Sequence, residues 1–100
     1  MGKYEVHIYP AAQNDLREIV AYLNTLSPQA ALRYYDLLVE KIAGLSETPK
    51  RYPMAKDTQL RLRGYRTLLA ESYLVFYVIE GKEVQVRRIL YAKRQYGRLV

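Results

Sequence analysis

Between positions 60 and 96 the chain reads LRLRGYRTLLAESYLVFYVIEGKEVQVRRILYAKRQY, and its apolar residues recur with a period of two. Alternation of that kind puts successive side chains on opposite sides of an extended backbone, so the C-terminal part of the chain is committed to a sheet. Residues 60–70 predict a strand, bent near Gly64. Residues 73–79, apolar at nearly every position, predict a central strand covered on both faces. Glu80-Gly81-Lys82 supplies a tight turn, and residues 84–91 return antiparallel. One parity conflict stands. In a regular strand Arg88 shares a face with Val84, Val86 and Leu90, so either a bulge shifts the register or the sheet is open to solvent there. Residues 93–100 make a short basic tail with room for one helical turn.

The N-terminal half has a different rhythm. Tyr4, Val6 and Ile8 alternate with Glu5 and His7, which predicts a first strand over 3–9. Pro10 then suits the first turn of a helix, where a missing N–H leaves no bond unmade. Ala12, Leu16, Ile19, Val20 and Leu23 recur at three and four and share one helical face down to about Leu26. Ser27-Pro28 pairs a capping hydroxyl with a proline at the first position of a second helix. That helix carries Ala31, Tyr34, Tyr35, Leu38, Ile42 and Leu45 on one stripe and stops before Pro49. With so short a connection the two helices pack as an antiparallel hairpin. The fold class is therefore α+β: a strand, a helical hairpin, then a three-stranded antiparallel meander, in one mostly antiparallel sheet with helices on one face.

Length and composition add boundaries. One hundred residues, half of them hydrophobic, suit one domain over 1–100 that buries roughly 65% of its unfolded surface. Without cysteine, neither a disulfide framework nor a thiolate metal site is available. No apolar run approaches the ~18 residues of a membrane span, and no secretory pattern opens the chain, so a cytoplasmic protein without membrane partner, metal or cofactor is expected. The charge is segregated. Residues 1–57 hold seven basic and seven acidic side chains, whereas residues 58–100 hold nine basic and three acidic, so the whole net charge of +6 lies on the sheet-forming part. Charge concentrated on one structural unit marks a docking surface for RNA, DNA or an acidic protein, and the charge alone does not choose among them.

The ordered set of a strand, a hairpin with Asp15-Leu16 and Ile19 on its first helix, Leu62-Arg63-Gly64-Tyr65-Arg66, Val75-Phe76-Tyr77 and Ile89-Leu90-Tyr91 resembles the RelE/ParE superfamily of type II toxins. The resemblance covers almost the whole chain, and the L-R-x-G-Y-R, V-F-Y and I-L segments bring it closer to ParE-type than to RelE-type members. It implies a small toxin silenced by a cognate antitoxin protein. ParE-type members poison DNA gyrase; RelE-type members cut mRNA on the ribosome. Where RelE-type nucleases place an arginine after the tyrosine of the third-strand motif, this chain has Leu74 after Tyr73. Where many relatives have histidine at the end of the last strand, it has Tyr91. Lys93-Arg94 does match the pair that follows the last strand in RelE.

Chemistry bears on the same choice. Cleaving RNA through its own 2′-OH needs a base, an acid for the leaving oxygen, and cations for the developing phosphorane charge. Cations are plentiful, but no acid–base pair is evident. Tyrosine, with a pKa of about 10, is a poor base unless neighbouring arginines lower it. His7 lies on the first strand and reads as an ordinary strand residue. Among the eleven tyrosines, Tyr34, Tyr35, Tyr73 and Tyr77 read as half-buried core, whereas Tyr65, Tyr91 and Tyr96 sit among arginines. The candidate target-binding residues are Arg61, Arg63, Tyr65, Arg66, Arg88, Tyr91, Lys93, Arg94, Tyr96 and Arg98; for a nuclease, Arg66, Tyr91, Lys93, Arg94 and Tyr96 would carry the chemistry. Three readings stay open: a non-enzymatic gyrase inhibitor, favoured here; a ribosome-dependent mRNA endoribonuclease; and an inert antitoxin-binding module.

Overall fold

The structure, a computed structural model, describes residues 3–93 and 100. A short strand β1 (Glu5–Ile8) leads through Tyr9 into helix α1 (Pro10–Leu26), and a single residue, Ser27, separates it from α2 (Pro28–Ala43). Ser27 closes the first helix by donating its backbone N–H to Leu23 and opens the second by accepting the Ala30 N–H on its hydroxyl at 3.3 Å. Each helix starts on a proline, as the sequence predicts. Two short 3₁₀ turns follow, Gly44–Ser46 and Pro49–Arg51. After them come α3 (Thr58–Leu62), β2 (Arg66–Ala70), β3 (Tyr73–Glu80) and β4 (Glu83–Tyr91).

The sheet order is β1-β4-β3-β2, with β1 parallel to β4 and the meander antiparallel throughout. β3 lies inside the sheet and is buried from both sides, as its unbroken apolar run implies. Val75 and Tyr77 meet the helical hairpin, where they join Ala12, Leu38, Ile42, Val84, Val86 and Ile89. Phe76 and Val78 belong to a second cluster with Ala55, Leu60, Tyr65 and Leu90. Of the apolar positions expected between the helices, Ala12, Leu23, Leu38 and Ile42 are buried, while Leu16, Ile19, Val20 and Tyr34 are half-buried. Tyr35, expected on the same stripe, is instead 44% exposed.

The structure changes one further sequence expectation and decides between two open alternatives at another position. Residues 60–62 are not strand but the end of α3, which Asp57 caps by accepting the Leu60 N–H at 3.0 Å. Leu60 is buried and Leu62 is 77% exposed. Residues two apart in a helix also diverge by about 200°, so one alternating pair cannot separate a helical turn from a strand. Gly64, at φ +84°, ends the turn in a conformation that side chains with a Cβ resist, and β2 starts only at Arg66. The parity conflict at Arg88 is resolved by a bulge. Phe76 pairs with Arg88 but Tyr77 pairs with Val86, which leaves Arg87 as the extra residue. Val84, Val86 and Ile89 thereby share the helix-facing core, and Leu90 moves to the other cluster.

Tyr77 ties the sheet to the connecting segment. Its buried hydroxyl donates to the Pro49 carbonyl, itself in a fully buried residue. Burial pushes the Tyr77 phenol well above its ordinary value, against the opposing pull of the Arg66 charge. The folded state therefore holds this proton more tightly than the unfolded chain. Its contribution is complete below about pH 10 and is lost as pH rises beyond that. Tyr77→Phe is expected to lower stability at pH 7 by about 1–3 kcal/mol, since it leaves a buried carbonyl unpaired. It is also expected to remove one proton's share, about 1.4 kcal/mol per pH unit, from the alkaline decline. Urea unfolding at pH 7 and pH 11 measures both effects, and an unchanged alkaline slope would contradict the assignment.

Candidate functional site

β1 is too short to cover the full length of its neighbour. It pairs with β4 only from Glu83 to Val86, and beyond it the outer edge of β4 meets helix α1. There Asp15, on the first helix and 7% exposed, acts in place of a strand. Its Oδ2 accepts the Ile89 backbone N–H at 2.9 Å. The same carboxylate takes the Arg88 guanidinium on two bonds, Nε to Oδ2 at 2.7 Å and Nη2 to Oδ1 at 2.9 Å. This bidentate pairing raises the Arg88 pKa further, through the hydrogen bond to Asp15 first. Arg88 is thus bound into the fold.

The other candidate cations divide in the same way. Arg61 donates from Nη1 to the carbonyls of Ala55 and Lys56, at 3.4 and 3.2 Å, and holds the loop before α3. Arg66 donates to the carbonyls of Tyr52 and Lys50, at 2.7 and 3.3 Å. Arg63, the residue that ends α3, is exposed and lies over the Tyr65 ring, 5.2 Å from its centroid. Tyr65 is 2% exposed and belongs to the second core, so it supports Arg63 rather than offering a free face for stacking. Tyr91 is exposed and meets the edge of Tyr73, which in turn meets Tyr34. Burial, reinforced by the neighbouring tyrosines 34, 22 and 91, pushes the Tyr73 phenol up and away from any role as a base. Lys93 is exposed just past β4. Arg94, Tyr96 and Arg98 lie outside the described residues.

Sequence reasoning missed Arg87, because the parity conflict drew attention to Arg88 and did not say which residue a bulge would turn outward. As the bulge residue, Arg87 sits over the Tyr9 ring at 4.8 Å and donates to Gln85 Oε1 at 3.0 Å. Gln85, buried at 6%, turns its amide nitrogen to Glu80 and Glu83, at 2.9 and 2.6 Å. A neutral amide therefore stands between the arginine and both carboxylates. Arg63 and Arg87 line one cavity of about 310 Å³. Arg87 and Arg88 line a second of about 350 Å³, with Tyr9 and Val100. Tyr65 and Arg87 border both.

These cavities offer cations, and the carboxylate among their lining residues is Glu80, which accepts a hydrogen bond from Gln85. No histidine lines either one. His7 lies elsewhere, 2.7 Å from Glu5 and 3.3 Å from Glu83 at the β1–β4 pairing, as an exposed strand residue. Among the described residues no group of three or more His, Cys, Asp or Glu side chains is placed to hold a metal ion. Among them, too, no helix is long and apolar enough to cross a membrane.

Residues 6–96 match the model of a protein family described as the ParE toxin of the type II toxin–antitoxin system parDE. No functionally curated protein sequence matches the chain. The fold is shared with a solved structure of the chromosomal ParDE toxin–antitoxin system from P. aeruginosa, at a TM-score of 0.77 and 23% identity over 91% of this chain and 98% of that one. It is also similar to a chain of the toxin–antitoxin complex RelBE2 from Mycobacterium tuberculosis, at a TM-score of 0.61 and 22% identity over 89% of this chain and 98% of that one. With a single family model spanning nearly all of its length, the chain belongs to the ParE toxin family of type II toxin–antitoxin systems.

Proposed function

We propose that the protein is a growth-inhibiting toxin that acts in the cytoplasm by poisoning DNA gyrase and is neutralised by a cognate antitoxin. The observation that carries this reading is a family match of the ParE type on a chain whose two basic cavities, among the described residues, hold a single carboxylate, Glu80, and no histidine to pair with it. A surface of that kind suits binding to a large partner better than general acid–base hydrolysis. Arg63, Tyr91, Lys93, Arg94, Tyr96 and Arg98 are the residues proposed to meet the target. Lys93-Arg94 favours a second reading, cleavage of ribosome-bound mRNA.

The antitoxin would dock on the helical hairpin as well as on basic residues. Leu32, Tyr35 and Val39 recur at helical spacing along α2, yet they are 63%, 44% and 40% exposed. Beside them a groove of about 280 Å³ is lined by Leu16, Val20 and Tyr35. A second apolar stripe on an already packed helix fits an amphipathic segment that orders on binding. Its acidic residues would pair with the exposed arginines, so affinity is expected to fall as salt rises. Co-expression with the product of the neighbouring reading frame is expected to give a stable complex and to restore growth. Failure to form a complex would remove the antitoxin from this account.

A further inference from the structure

Six of the eight arginines on the described residues have their charge or their donors engaged elsewhere in the fold or lie away from the two basic cavities. Arg33 pairs with Glu71 and Arg88 with Asp15. Arg61 and Arg66 serve backbone carbonyls. Arg17 bonds Asn14, and Arg51 lies over Tyr52. The remaining two, Arg63 and Arg87, have no ion-pair partner among the described residues, and they line the same cavity; Arg87 spends one Nη1 hydrogen on Gln85 and keeps its other donors. Each rests on a tyrosine ring, at 5.2 and 4.8 Å. Stacking restrains a guanidinium plane and leaves in-plane N–H groups free, a geometry suited to the paired oxygens of a phosphate.

We propose that Arg63 and Arg87 hold the phosphodiester backbone of a nucleic acid across this cavity. The position of the apolar surface separates this from docking of an acidic protein. Protein partners need a desolvated apolar centre, and the exposed large apolar side chains, Leu26, Leu32, Tyr35 and Val39 among them, line neither basic cavity. Nucleic-acid interfaces are instead polar, wet and positively charged. Glu80 also lines this cavity, but Gln85 Nε2 holds Glu80 and Glu83 by hydrogen bonds, and neither carboxylate forms an ion pair with Arg87 among the described residues, so the cavity keeps two cations to one carboxylate. The buried Tyr65 leaves no face for base stacking there, so the contact is to backbone and independent of sequence. The inference rests on reading the basic sheet as the working surface, and it adds the class of ligand.

Fluorescence anisotropy of purified, antitoxin-free protein with a labelled 20-base-pair DNA duplex, and with a single-stranded RNA of equal length, tests the proposal across a salt series. Binding is expected with a slope of log Kobs against log salt of about −2 or steeper. Arg63→Ala and Arg87→Ala are each expected to reduce that slope by about 1, whereas Lys41→Ala on α2 leaves it unchanged. Arg87→Lys keeps the charge and loses the planar fork, so it is expected to keep the slope and bind more weakly; it covers the case in which Arg87→Ala fails to fold. The tighter of the two probes identifies the source of the phosphate. No binding to either probe, slopes unchanged in both alanine variants, or equal binding of a polyglutamate peptide of matched charge would overturn the proposal. The assay contains neither gyrase nor cells, so its failure leaves the growth-inhibition reading standing, and loss of that reading leaves this result intact.

Discussion

Asp15→Ala is expected to lower the stability of the protein by about 3 kcal/mol. Removing one member of a buried ion pair costs roughly 3–5 kcal/mol, because it strands the partner's charge. Arg88 retains 24% exposure of its side chain, which places the expectation at the low end of that range. The Ile89 N–H would lose its acceptor as well. Asp15→Asn retains an oxygen for Ile89 and loses the charge, so it is expected to fall between the wild type and Asp15→Ala. Arg88→Met combined with Asp15→Ala is expected to destabilise less than the sum of the single changes, because no charge is then left unpaired. Urea unfolding of the wild type, the two Asp15 variants, Arg88→Met and the double variant measures this. An Asp15→Ala variant within about 0.5 kcal/mol of wild type would show that α1 covers the β4 edge without help from the carboxylate.

That pair also shows where sequence reasoning stopped. Residues 15 and 88 are separated by 73 positions, and no local pattern joins them. The helices, by contrast, were legible from the spacing of Ala12, Leu16, Ile19 and Leu23 and from Ser27-Pro28, since both signals act within a few residues. The β3 run was legible because burial on both faces leaves no polar position to interrupt it. The bulge was visible as a parity conflict at Arg88, but its consequence, Arg87 turned onto Tyr9, depends on pairing with a distant strand. The short α3 was hidden because Leu60 and Leu62 satisfy either geometry. Of the candidate site residues, composition could say which were basic. Only tertiary packing could separate Arg61, Arg66 and Arg88, held by carbonyls or by Asp15, from Arg63, which has no ion-pair partner among the described residues.

Replacing Lys93, Arg94 and Arg98 together by alanine is expected to abolish growth inhibition while changing stability by less than about 0.5 kcal/mol. All three follow the end of β4 at Tyr91 in the chain. Surface changes outside packed or paired sites have small effects on folding. The same residues at a binding surface can carry several kcal/mol of affinity. Growth curves after induction give the first quantity and thermal unfolding gives the second. Full toxicity of the triple variant would show that the charge at the end of the chain is only a solvated surface and would remove these residues from the proposed site.

The central claim is a non-nucleolytic toxin directed at gyrase, and a paired cleavage assay on the purified wild-type protein tests it most directly. The protein is incubated with gyrase and supercoiled plasmid, and separately with ribosomes carrying a translated message. The account predicts gyrase-dependent DNA breaks in the first reaction and an intact message in the second. Cleaved message with no DNA breaks would contradict it, and slowing of that cleavage by Tyr91→Phe or Tyr96→Phe would then place a tyrosine hydroxyl in the proton transfer.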